Sequence, residues 1–180
     1  SIDRDVPANA FYYAFNMGPR KSSDYYLGDI MSDAVGKDSS SILNIALKKE
    51  LELGTEISAF ITGSLDDGLF IISGKLSEGI SFEELDKQLW IELDKIKQTG
   101  VDAEKLIGIK NKISTAKAFQ EQGLLNRSIN LSFFELLGDA NGINEEPLIY
   151  QKIETTDLIV FAKNTFVKTN CSLLKVCNNA

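Results

Sequence analysis

The residues able to do chemistry are few, and one absence narrows them further: the 180-residue chain contains no histidine. That removes a Ser-His-Asp or Cys-His nucleophile pair and the H-E-x-x-H zinc helix. Two cysteines, Cys171 and Cys177, supplemented by carboxylates would make an unusual zinc set, so no metal ligands are read in this chain. Six positions apart in an expected strand, they stand roughly 20 Å from each other, too far for a disulfide. Free thiols favour a reducing compartment, the cytoplasm ahead of the periplasm.

Other candidate groups have plainer local explanations. The run from Gly36 and Lys37 into Ser39, Ser40 and Ser41 suggests a phosphate loop, but G-x-x-x-x-G-K-[ST] requires Gly where Met31 stands and a hydroxyl where Asp38 stands. It reads as a helix stop followed by a serine N-cap. Asp66 and Asp67 precede Gly68 in an expected hairpin turn, where Asp serves local hydrogen bonding rather than acid-base work. Glu83, Glu84 and Asp86 fall in the first turn of a helix, where the dipole favours negative charge. Asn126, Asn130 and Asn170 each open an N-x-S triplet, and the first two lie within an expected helix. No catalytic residue is read.

The net charge of -7, with no Lys/Arg cluster longer than two, argues against nucleic acid and anionic membrane as partners. No apolar run approaches the roughly 20 residues of a membrane span. A hydrophobic content of 43% over this length suits one domain with a sizeable core. Residues 1–9 are polar and lack an initiator Met; they read as a linker or start segment, with a single domain over 10–178 belonging to a longer protein.

The positioning elements follow from periodicity. Phe11, Tyr13, Phe15 and Met17 alternate with smaller or polar residues as a strand. A helix from Ser23 carries Tyr26, Leu27, Ile30, Met31 and Ala34 and stops at Gly36; a second, capped by a serine at 39–41, carries Leu43, Leu47 and Leu51 and closes at Gly54. A hairpin places Ile57, Ala59 and Ile61 on one face and returns through Leu69–Ile72, apolar on both faces as in an interior strand. Ser81 and Glu84 form a capping box ahead of Leu85, Leu89, Leu93 and Ile96. Further helices start at Asp102, after Gly123 with Leu124, Leu131, Phe134 and Leu137, at Asn144 with Pro147 in the first turn, and at Thr156. Cys171–Cys177 closes as a strand. This order predicts an α+β fold, a two-layer sandwich of mainly antiparallel sheet with helices on one face.

Taken together, FYYAFNMG, DYYLGDIMSDAVGKDSSSILNIALKKELELG, DDGLFIISGKL and SFEELDKQLWIELDKIKQTGVDAEKLIGIKNKI resemble the non-catalytic C-terminal half of the insulinase/pitrilysin zinc metallopeptidases. That family includes the mitochondrial processing peptidase subunits. The resemblance runs from about Pro7 to Val176. It implies a clamshell in which an N-terminal catalytic half, in the same protein or a paired subunit of a dimer, holds zinc with H-x-x-E-H and a distal Glu. A half like this one closes over it and encloses an unfolded peptide. Several family members contribute an Arg and a Tyr seven residues apart from this half; the matching positions are Lys48 and Thr55. Lys keeps a positive donor without the guanidinium fork, and Thr keeps a hydroxyl without the reach of Tyr. The resemblance also directs attention to the edge of the hairpin's first strand, because family members add peptide to a sheet edge in the catalytic half. The competing implication is a scaffold subunit of the same fold without peptidase activity.

Overall fold

The computed structural model describes residues 1–63 and 65–178. Five strands, β1 (Ile2–Arg4), β2 (Ala10–Met17), β3 (Gly54–Ile61), β4 (Gly68–Leu76) and β5 (Cys171–Asn178), form one sheet in the order β1-β5-β2-β4-β3. Neighbours are antiparallel except β1 and β5, which run parallel. β1 lies within the stretch read as a linker: it is a short, exposed edge strand that local pattern does not announce.

Period-2 alternation decides which face of the sheet is buried. Phe11, Tyr13, Phe15 and Met17 of β2 all point into the core, and the register sets Phe15 beside Phe70 and Tyr13 beside Ile72 of β4. Phe166 closes this layer, with its ring centroid 5.2 Å from Phe15 and 5.0 Å from Phe70 in edge-on geometry. The helices cover this face. α1 (Ser23–Ser32), α2 (Phe82–Thr99) and α6 (Thr155–Thr165) bury Ile30 and Met31, Leu85, Leu89 and Leu93, and Leu158 and Phe161 against it. α3 (Ala103–Gln120), α4 (Leu124–Leu136) and α5 (Gly142–Lys152) form the outer flank. Among the described residues no helix covers the opposite face of the sheet, and there Tyr12, Phe60 and Leu174 are each more than 40% exposed. The expected α+β sandwich is the observed architecture.

Several local expectations differ from the structure for identifiable reasons. Gly36 does not stop the first helix; α1 runs on into a π-helical turn, Asp33–Lys37. The glycine is needed because this turn presses on β3, where a Cβ at Gly36 would stand 2.4 Å from the Ala59 nitrogen. A second π-helical segment, Asn44–Glu50, replaces the expected α-helix. Leu43 and Leu47 remain buried, but the wider turn takes Leu51 out of register and leaves it 43% exposed. The serines cap nothing there; Asp38 accepts from the Ser40 nitrogen at 3.0 Å and from its hydroxyl at 2.7 Å. α5 begins ahead of Asn144, with Pro147 inside it. α6 is capped by Glu154, reciprocally with Asp157, rather than by Thr156. Of the apolar residues expected to seat α4, Phe134 and Leu137 are buried whereas Leu124 and Leu131 face solvent.

Candidate functional site

Lys48 and Thr55 line one surface cleft of about 650 Å³, together with Leu51, Glu52, Glu78 and Ile80. Three departures from regular backbone converge on it. Lys48 lies in the second π-helical segment, with its side chain in solvent. Glu52 has φ of 54°, left-handed geometry that is rare for a residue other than glycine. At Thr55 the β3–β4 register slips: Gly54 opposes Leu76 and Glu56 opposes Lys75, so Thr55 is the extra residue of a bulge. A bulge re-aims a side chain, and both bulges and π turns recur where a chain positions functional groups. The connecting turn is held from inside, with the Leu53 nitrogen donating to the Leu47 carbonyl at 2.8 Å and the Leu53 carbonyl accepting from the Ser77 nitrogen at 3.0 Å. The cleft thus offers the Lys48 ammonium, the Thr55 and Ser77 hydroxyls and the Glu52 and Glu78 carboxylates around a fixed turn. It has no nucleophile paired with a base. Among the described residues no group of three His, Cys, Asp or Glu is arranged to hold a metal, and with no imidazole in the chain the donors do not fit zinc.

The edge of β3 beside this cleft is not open along its length. The Asn44 side-chain amide donates to the Ile57 carbonyl at 3.0 Å, and the π-helical turn at Gly36 packs on Ser58 and Ala59. The middle of the strand, which the resemblance suggested as an edge for an added peptide strand, is therefore roofed by the chain's own preceding segment.

The family model described as the peptidase M16 inactive domain matches residues 1–113. The chain belongs to the peptidase M16 inactive-domain family. No curated protein matches it. Among solved structures, a protease from Helicobacter pylori superposes with a TM-score of 0.88 at 18% identity, over 97% of this chain and 42% of that one. An inactive peptidase domain from Bordetella parapertussis gives 0.85 at 18% identity, over 97% of this chain and 92% of that one. A chain of complex III2 from Candida albicans gives 0.78 at 12% identity, over 97% and 44%. These likenesses establish the fold, and the M16 domain spans less than half the length of the Helicobacter protease.

Among the remaining acidic candidates of the M16 domain, Asp86 and Glu83 make structural contacts. Asp86 accepts from the Tyr13 hydroxyl at 2.8 Å and from the Trp90 indole at 3.1 Å, fixing α2 to the sheet. Glu83 takes Lys175 at 3.3 Å, and Asp66 and Asp67 are exposed in the β3–β4 connection. Lys37 pairs with the buried Asp33. Cys171 and Cys177 are free, and burial pushes the Cys171 thiol up to about 11, so it is not a reactive thiolate.

A second polar site, on the opposite flank, has no counterpart in the sequence motifs. Arg20 is buried, ion-paired with Glu146 of α5, bonded to the Tyr26 hydroxyl at 3.1 Å, and stacked 4.1 Å from the Tyr25 ring centre. Lys117 of α3 reaches the same Glu146 carboxylate. The Tyr150 hydroxyl donates to Asp29 at 2.6 Å. Burial raises the Tyr150 and Tyr25 hydroxyls and lowers Lys117 to about 8. These residues come from separate parts of the chain, and the lone signal for them was an arginine beside an aromatic pair.

Proposed function

We propose that this domain is the closing half of a zinc peptidase: it covers a catalytic half and helps to enclose an extended peptide. The observation that carries this reading is the helix-free face of the sheet. There Tyr12, Phe60 and Leu174 lie uncovered among Ser58, Ser73 and the Glu56–Lys75 pair on the five-stranded sheet. A mixed face with exposed aromatic side chains suits a surface that meets another domain. The Lys48/Thr55 cleft lies at one end of that face, since Thr55 precedes Glu56, whose carboxylate pairs with Lys75 at 3.0 Å. In this role Lys48 supplies a positive donor to a peptide carbonyl or carboxylate, and Thr55 a hydroxyl. Zinc and the general base belong to the other half.

The second reading, a scaffold subunit without peptidase activity, is favoured by the likeness to a chain of complex III2. The two separate on the coding sequence around this domain and in the adjacent gene. The peptidase reading requires H-x-x-E-H with a distal Glu there; its absence from both leaves the scaffold reading.

A further inference from the structure

From residue 114 to residue 132, across the end of α3 and most of α4, no side chain is buried, and Lys117 and Asn130 alone are half-buried. Phe119, Leu124, Leu125 and Ile129 all face solvent, Leu124 at 84%. The stretch is tethered at its two ends. Ile113 packs on the core, while Phe133 and Phe134 sit with ring centres 5.9 and 5.7 Å from the Arg20 guanidinium. Between this stretch and the body lies a cavity of about 410 Å³, bounded on one side by Ala116, Lys117 and Asn130 and on the other by Arg20, Asp29 and Glu146. Within the 13-residue α4 only Phe133 and Phe134, near its C-terminal end, pack on the body, and the rest of such a helix is marginal in water, so the closed position of 114–132 depends on the Lys117–Glu146 contact across the cavity.

We propose that residues 114–132 form a flap that opens over this cavity as a unit while the sheet stays folded, with the Lys117–Glu146 contact controlling closure. The inference rests on this chain alone and stands whether or not the domain serves a peptidase. The groups facing Lys117 are Arg20 before α1, Asp29 on α1, Glu121 at the end of α3, and Glu146 with the Tyr150 hydroxyl on α5. Burial and Arg20 disfavour the Lys117 ammonium, while Asp29, Glu121 and the Glu146 carboxylate it touches favour it, so closure is held by a charged lysine paired with Glu146 across the cavity.

Hydrogen exchange of the whole domain, with rates corrected for intrinsic exchange, tests this. At pH 7 the amides of 114–132 are expected to exchange at least tenfold faster than those of β2 and β4. Lys117→Met keeps the Arg20–Glu146 pair and the apolar stem; at pH 7 its flap is expected to exchange several-fold faster than that of the wild type, with β2 and β4 unchanged. Protection of 114–132 equal to that of β4 overturns the flap, and equal flap exchange in wild type and K117M overturns control by Lys117.

Discussion

Lys48 and Thr55 are exposed, so replacing them removes no packing. Any effect on turnover then reports contact with a peptide. Hydrogen bonds to a charged group contribute about 1.5–3 kcal/mol, so Lys48→Ala in the intact parent is expected to lower kcat/KM for peptide roughly tenfold or more, with the domain's Tm unchanged. Unaltered hydrolysis would return Lys48 to a solvated helix end. The glycines provide a sharper contrast. A methyl at Gly36 meets the β3 backbone, which cannot retreat, so Gly36→Ala is expected to cost about 3 kcal/mol in urea unfolding. Gly108, inside α3, has open space where its Cβ would go, and Gly108→Ala is expected to stabilise by about 1 kcal/mol. Sequence alone did not distinguish these two cases, because the difference lies in what approaches the glycine from β3, far along the chain. Similarly, the Lys48/Thr55 pair was legible only through a family resemblance; the bulge and the left-handed Glu52 that fix it carry no distinctive residue type.

Elements with a local cause were legible. β2 alternates strongly, Ser81 accepts from the Glu84 nitrogen at 3.1 Å, and Asp102 accepts from those of Glu104 and Lys105 at 2.9 and 3.2 Å, so the starts of α2 and α3 stand where the caps put them. The π-helical segments were not legible, since the apolar spacing of Leu43 and Leu47 suits an α-helix equally and the widening answers to contact with β3. Asn44 is the joint between them. Its two amide hydrogens are shared among the Ile57 and Gly36 carbonyls and the Ser41 hydroxyl oxygen, at 3.0, 3.3 and 2.9 Å in a buried setting. Asn44→Ala leaves those acceptors unpaired and is expected to cost about 2 kcal/mol, measured by chemical denaturation. The same change is expected to speed amide exchange along β3 more than along β2; uniform exchange would mean that the π-helical roof does not depend on Asn44. α4 was misjudged for the opposite reason: its apolar residues predicted a seat in the core, yet Leu124 and Leu131 have none.

At the scale of the molecule, a mainly antiparallel sheet with helices on one face follows from strand and helix order, whereas the parallel pairing of β1 with β5 arises only when the two ends of the chain meet. The helix-free face, where Tyr12, Phe60 and Leu174 are exposed beside the Glu56–Lys75 pair, is the surface that the proposed closing role would use. The most direct measurement compares the parent protein with and without this domain for bound zinc and for hydrolysis of an unfolded peptide. A closing half predicts that deletion abolishes hydrolysis and leaves zinc in place; full hydrolysis after deletion would contradict it.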